Sequence, residues 1–209
     1  MSFLSLDAVT SRLMNDLVVV YDDSRLNKRL VRDKILVARS NILSKYLVRS
    51  IGNIDGSYFN TCCFEVQCEP VCKGAPITVL RGKIPAVLGQ LGKRGIKYLG
   101  TVDGKTPFER RDEAYSEMES YVPVGCGKKD AYYNLVGNKA SVYNTPTDNT
   151  SMLMITAVFA DPLACGCEEE EVFVPADHID EIEQQIKIDL STFLMQRRID
   201  KMNNVNSDT

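Results

Sequence analysis

A single histidine, His178, stands in the whole 209-residue chain, and that scarcity removes several chemistries at once. Zinc sites built on paired imidazoles, the HExxH helix and two-histidine iron sites all need more than one. A nucleophile–base pair would need His178 beside a serine or cysteine. Its sequence neighbours are Asp177 and Asp180, so the expected reading is a surface histidine at a helix start. No apolar run approaches the ~18 residues of a membrane-crossing helix. The opening MSFLSLDAVTSRLMNDLVVVYDD has no basic leader and no small-residue cleavage site, so it is expected not to be a secretion signal. Neither an internal repeat nor a low-complexity segment is present. Net charge is also lacking: 25 Lys and Arg stand against 28 Asp and Glu, a balance of −3. Nothing there draws the chain as a whole toward nucleic acid.

Phosphate loops fail on spacing. Gly104-Lys105-Thr106 ends like a P-loop, but the position that needs the earlier glycine is Leu99, and Pro107 stands where the helix should continue. Gly92-Lys93-Arg94 has Val87 at the earlier position and no Ser or Thr. Neither pattern aims backbone N–H groups at a phosphate. Gly89, Gly92 and Gly95 read as a flexible loop between strands.

Cysteine is plentiful: Cys62, Cys63, Cys68, Cys72, Cys126, Cys165 and Cys167. An odd number without a secretion signal implies a reduced, cytosolic state. Three residues separate Cys68 from Cys72 and one separates Cys165 from Cys167, so neither pair is a Cys-x2-Cys zinc knuckle. Cys62, Phe64, Val66 and Cys68 alternate with Cys63, Glu65 and Gln67, the pattern of a half-buried strand in which cysteine acts as a small hydrophobe. Structural thiols are expected, against a rival reading of a metal-binding module built on Cys62, Cys63, Cys68 and Cys72 with Cys165 or Cys167. The run Glu168–Glu171 reads as a solvated loop, with a divalent cation on oxygen ligands as the alternative. The stretch 81–111 holds eight Lys and Arg against Asp103 and Glu109. It reads as solvated, interface-forming loops, with a small nucleic-acid-binding domain as the alternative. No residue is nominated as catalytic, cofactor-binding or metal-ligating, and no cofactor or enzymatic activity is expected.

Two amphipathic patterns bracket the chain. Leu6, Val9, Leu13 and Leu17 predict a helix over 4–20, with Ser5 or Asp7 as cap. Val31, Ile35, Ala38, Ile42 and Tyr46 predict a second from Arg25 to about Ser50, with Lys28, Arg32, Arg39 and Arg49 off its stripe, a cap at Asp22, Asp23 or Ser24, and Gly52 closing it. Ile179, Ile182, Ile186, Leu190 and Phe193 predict a third, starting at Ala176 or Asp177, before a frayed tail KMNNVNSDT. Between them the expected strands are Tyr58–Glu69, Ile77–Lys83, Gly95–Val102, Ala131–Val136, Lys139–Asn144 and Ser151–Phe159. Gly137-Asn138 is a two-residue hairpin signal. The apolar run 152–159 predicts a strand inside the sheet. Pro107 to about Tyr121 is compatible with a helix or an exposed loop, and 163–171 is a poor candidate for packed structure. Strands grouped together rather than alternating with helices mean α+β: terminal helices packed as a small bundle, with an antiparallel β insertion of about six strands. The expected parts are 1–55, 56–162 and 163–209, the last packing on the N-terminal helices.

Charge is unevenly placed. Residues 1–50 hold nine basic groups and five acidic ones, whereas 161–183 hold nine acidic groups and no Lys or Arg. Such a division suits solvated helix faces, or complementary surfaces that meet across copies of the chain.

The layout resembles a family. RDKILVARSNIL on the N-terminal helix pair, IKYLGTVDGKTPF and AYYNLVGNKASVYN in the β insertion, Phe159, Asp161 and Pro162 closing it, and Val174, Pro175, Asp177 and Ile179 leading into VFVPADHIDEIEQQIKIDL together look like the neck-ring proteins of tailed phages. These are the head-to-tail connectors or tail adaptors, especially of crAss-like and related podoviruses. The likeness is one of pattern over most of the chain, and it does not extend to the cysteines or the glutamate run. It implies a non-enzymatic virion protein of the neck or tail, assembled in the bacterial host cytoplasm. It also implies a dodecameric ring under the portal that lines the DNA exit channel. The implied partners are copies of the chain, the portal protein, other neck or tail rings, and passing genomic DNA held without sequence recognition; no membrane is implied.

Overall fold

The computed structural model describes residues 3–20, 27–49, 55–70, 78–89, 95–111, 131–145 and 151–205. Among these the elements run β1 (Phe3–Ser5), α1 (Leu6–Val20), α2 (Lys28–Arg49), β2 (Asn60–Pro70), β3 (Thr78–Lys83), β4 (Ile96–Thr101), β5 (Glu109–Arg110), β6 (Tyr132–Val136), β7 (Lys139–Tyr143), β8 (Met152–Ala157), β9 (Phe173–Pro175) and α3 (Ile179–Val205). Short 3₁₀ turns stand at Gly56–Tyr58, Pro162–Cys165, Glu169–Glu171 and Ala176–His178. The fold is α+β with a β-rich insertion. Two compact units divide the chain: Met1–Leu43 with Glu168–Thr209, and Ser44–Cys167. The boundaries fall inside α2 and before Glu168, where the sequence suggested 55/56 and 162/163.

In the helical unit, the Ser5 hydroxyl accepts the Ala8 N–H at 3.3 Å and starts α1. Leu6, Val9, Leu13 and Leu17 are buried at helical spacing. Thr10 is buried with them because its hydroxyl donates to the Leu6 carbonyl at 2.7 Å. α2 is capped by Asn27, whose Oδ1 accepts the Arg29 N–H at 2.9 Å; the expected caps Asp22, Asp23 and Ser24, and the closing Gly52, lie outside the described residues. Arg39 departs from expectation. It is fully buried on the same side as Ile35, Ala38 and Ile42, because its Nε donates to the Phe173 carbonyl at 2.8 Å and a buried cation is tolerated when hydrogen-bonded.

The 3₁₀ turn Ala176–His178 delays α3 to Ile179, and the helix continues to Val205 through residues expected to fray. Ile179, Ile182, Ile186 and Leu190 are its buried stripe. Glu183 is buried beside them, with Arg12 Nε 3.0 Å from its carboxylate. A second departure is the two-stranded antiparallel pair β1–β9, with Leu4 opposite Val174. The stretch before β9 is ordered where a solvated loop was expected. Glu169–Glu171 makes a 3₁₀ turn, Val172 is fully buried, and the Val172 carbonyl accepts the Leu6 N–H at 2.9 Å.

The β unit is a seven-stranded sheet in the order β4-β8-β2-β3-β7-β6-β5. β2 belongs to two ladders. Asn60–Glu65 pairs with β8, and Val66–Pro70 pairs with β3. A strand that changes partners midway makes a corner of the kind that turns one sheet into two facing layers. Closure comes from the segment 106–111. Pro107 bridges Gly100, and the Phe108 N–H donates to Leu99 O at 2.8 Å, which attaches this segment to β4. Two residues later, β5 pairs with β6. One short stretch thus spans both edges of the sheet and covers backbone that would otherwise be open for pairing. β5 runs parallel to β6, against the wholly antiparallel insertion expected, and 107–111 is extended rather than helical; 112–121 lies outside the described residues. The Gly137-Asn138 loop joins Val136 to Lys139, with Gly137 at φ +58°, the placement of a type II′ turn.

Both ladders feed one core that includes Phe64, Val66, Leu80, Leu99, Phe108, Val142, Leu153, Ile155 and Phe159. β8 lies inside the sheet as expected, although its outer face is partly open at Met152, Met154 and Thr156. The strand covered on both faces is β6, where Tyr132, Tyr133, Asn134 and Leu135 are all buried. Gly82 is required at the corner. A Cβ there would stand 2.5 Å from the Glu65 carbonyl and 2.6 Å from the Phe64 ring.

Candidate functional site

Most of the residues that carried the functional readings lie among those described. Asp161 accepts the Leu163 N–H at 3.0 Å and so caps the turn Pro162–Cys165. Phe159 and Pro162 on either side are buried. Val174 and Pro175 are buried in β9, opposite Leu4 and Phe3. Ile179 is buried at the first turn of α3, whereas Asp177 is exposed. The two signatures behind the family resemblance are therefore a capped turn and a strand pair, each holding a helix or turn start in place.

His178 is half-exposed, and its Nδ1 lies 3.5 Å from Glu181 one turn on. That is a helix-start contact without a nucleophile. Gly104-Lys105-Thr106 forms a tight turn whose N–H groups are used internally. Gly104 N donates to Thr101 O at 3.0 Å, Lys105 N to the Asp103 carboxylate at 3.2 Å, and Thr106 N to the Thr101 hydroxyl at 3.2 Å. The Thr101 hydroxyl also donates to Asp103 Oδ1 at 2.5 Å. These bonds, Thr101 first, hold the Asp103 carboxyl below the ordinary carboxylate range. All three N–H groups are thus taken up within the turn.

Three of the six described cations in the basic stretch 81–111 have partners within their own unit. Arg81 pairs with Glu69 at 2.9 Å. Lys97, the extra residue of a bulge in β4, sits 5.9 Å from the centre of the Phe59 ring. Arg111 reaches Glu109 Oε2 through Nε at 3.2 Å and Nη2 at 3.1 Å, and lies 4.9 Å from the Tyr132 ring centre. Tyr132 in turn stacks on Tyr143 at 4.9 Å. Lys93 and Arg94 lie outside the described residues.

The charge asymmetry is partly satisfied inside one copy. Arg12 reaches Glu183, and Arg32 reaches Glu169. These contacts join the basic first fifty residues to the acidic 161–183 segment within the helical unit. Lys187–Asp16 at 3.0 Å and Lys34–Asp189 at 3.8 Å tie the first fifty residues to α3 beyond that segment, and Lys28–Asp7 lies within the first fifty. Glu168, Glu171, Asp177 and Asp180 stay exposed, as do Arg29 and Lys45 on α2. Val37 on α2 and Ile188 on α3 are more than half exposed, apolar side chains among the charges of the helical unit.

Among the described residues the cysteines do not gather as a four-thiol site would require. Cys62 points into the core while Cys63 points out. Cys68 shares the parity of Cys62 but is exposed. At ~3.3 Å per residue, six steps along the strand separate Cys62 from Cys68 by about 20 Å, far beyond the reach of one zinc. Among the described residues no group of three His, Cys, Asp or Glu is placed to hold a metal ion; Cys72 and Cys126 lie outside them. What sequence reasoning missed is a different pairing. Cys165 packs against the core cluster to which Cys62 belongs, and its turn Pro162–Cys165 lies against β2. Burial, then Cys62, and then Cys167 and Asp161 push the Cys165 thiol up. The only hint in the sequence was the Asp-Pro turn just before Cys165. No described helix is long and apolar enough to cross a membrane. No protein-family model matches the sequence, and a search of curated proteins gives no match.

Proposed function

We propose that the chain is a structural subunit that assembles with copies of itself as a neck ring between portal and tail of a tailed phage, and that it transforms no small molecule. The observation that carries this reading is the use made of the signature residues. Phe159, Asp161 and Pro162 close the β unit as a buried, capped turn, and Val174, Pro175 and Ile179 anchor the start of α3. These are the segments on which the resemblance to neck-ring proteins rests, and in this chain they set the geometry of the ends of elements. Surface supports it as well: the helical unit exposes Val37 and Ile188 together with acidic and basic groups. A ring interface is heterologous, one face of a copy meeting a different face of the next, so a mixed apolar and charged surface suits it.

Two consequences follow from that reading. Charges already paired inside one copy, such as Arg12 and Glu183, contribute little to contacts between copies. The exposed acidic groups near Asp177 leave the ring weakly attractive to passing DNA, since affinity grows with each basic phosphate contact. Native mass spectrometry and electron microscopy of the full chain, alone and mixed with portal protein, test the proposal. Closed rings, formed alone or on the portal, are the expected result. A chain that stays monomeric at high concentration and also ignores the portal overturns it; the portal arm matters because assembly can await a template.

A further inference from the structure

We infer that Cys62 and Cys165 form a built-in dithiol that closes to an intramolecular disulfide when a hydroperoxide reaches it, fastening the turn after β8 onto β2. The two residues come from elements far apart in sequence and are brought together by the fold of the β unit. Cys62 lies on the inward face of β2, 5% exposed, and its own hydrogen-bonding contact is a long one, 3.9 Å to the Cys63 carbonyl. Cys165 ends a turn fixed at both sides. The Asp161 carboxylate caps Leu163 at its start, and at its end Gly166, at φ +75°, donates its N–H to Leu163 O at 3.0 Å. That double anchoring holds the turn against β2, with Cys165 packed on the core cluster to which Cys62 belongs. Joining the two sulfurs makes an S–S bond of ~2.05 Å at the loss of two hydrogens. All five described cysteines are free thiols, so this is the reduced form.

The chemistry balances with one hydroperoxide. Cys165, the more exposed of the two, is met first. Its sulfur takes the terminal peroxide oxygen, the O–O bond breaks, and water or an alcohol leaves, so that Cys165 becomes a sulfenic acid. The Cys62 sulfur then attacks that sulfur. The S–S bond forms, the S–O bond breaks, and the hydroxyl departs as water with the Cys62 proton. Two thiols have lost two electrons and one hydroperoxide has been reduced. The surroundings of Cys165 make the first step slow. Burial and the neighbouring Cys62, Cys167 and Asp161 all disfavour its thiolate, and the thiolate is the reactive form. The pair therefore registers sustained exposure to oxidant rather than a brief pulse.

The test uses the full-length chain treated with dilute hydrogen peroxide, alkylated, digested without reduction and read by mass spectrometry. The expected result is a peptide pair joined through Cys62 and Cys165, lost on reduction, still formed in Cys63→Ser and absent from Cys62→Ser. A second readout needs no variant: the oxidised wild-type chain should unfold at a higher denaturant midpoint than the reduced one. Oxidised protein in which Cys62 is still a free thiol overturns the inference. So does a bond from Cys165 to Cys167, Cys72 or Cys126, or cross-linking confined to Cys63 and Cys68 between molecules.

Discussion

Arg39 on α2 donates its Nε to the main-chain oxygen of Phe173 at 2.8 Å from a fully buried position. One guanidinium thereby ties the second helix to the strand that leads into the last. β9 is only three residues long, too short to be stable by itself, so it depends on such contacts and on its pairing with β1. Arg39→Leu removes the donor and leaves the Phe173 carbonyl with one partner fewer in an apolar setting. The expected loss is about 2–4 kcal/mol, read from urea unfolding. Arg39→Lys restores charge but not the planar fork and should recover less than half of it.

Gly100 is where the segment that closes the sheet crosses β4. A Cβ at this position would stand 2.2 Å from the Thr106 carbonyl and 2.4 Å from the Tyr98 hydroxyl. That hydroxyl itself donates to Thr101 O at 3.0 Å and so helps hold the turn. Gly100→Ala should cost about 1–3 kcal/mol, and Gly100→Val more. Hydrogen exchange separates closure from general destabilisation: the Phe108 and Arg111 amides, which bond to β4 and β6, should lose protection before the β8 amides do. Equal loss at all sites would count against the closing role.

Asp103 gives a pH-dependent turn. Its carboxyl is held below the ordinary range by the Thr101 hydroxyl and the Lys105 N–H, so the folded state prefers it ionised. The stabilisation is complete above the unfolded carboxylate pKa of about 3.9 and is lost as pH falls through the lower folded value. Asp55, whose carboxylate accepts the Ser57 N–H and hydroxyl, behaves in the same way. NMR titration should show the Lys105 and Ser57 amide signals moving only below about pH 4. Asp103→Asn should remove the Lys105 response and leave that of Ser57.

Thiol reactivity should rank by position. Cys63 and Cys68 are exposed, whereas Cys62 is buried and Cys165 is half-buried with its thiol pushed up. At neutral pH a maleimide should label Cys63 and Cys68 first and Cys165 much later. The Cys165 rate should go on rising past pH 9 or so, above the ordinary thiol pKa of about 8.5. Time-resolved alkylation followed by peptide mapping measures this. Early labelling of Cys165 would contradict its placement against the core.

Periodicity alone located most of the fold. Val9, Leu13 and Leu17, or Ile182, Ile186 and Leu190, recur at a spacing that only a helix brings to one face. Cys62, Phe64 and Val66 alternate as only a strand allows. Gly137-Asn138 stated its own turn. These signals are local, and the structure keeps them within a few residues of the expected ends. The thiol site, the buried Arg39 and the closing segment 106–111 have no such signature. Which face Cys165 meets depends on where β2 lies after some hundred intervening residues. Whether Arg39 counts as surface or core depends on a carbonyl supplied by Phe173. Whether Pro107 begins a helix or bridges β4 depends on the backbone of Gly100. Periodicity is a property of neighbours along the chain, whereas pairings between distant residues are chosen by packing and hydrogen-bond satisfaction once the elements meet. For that reason the elements were legible beforehand and their partners were not.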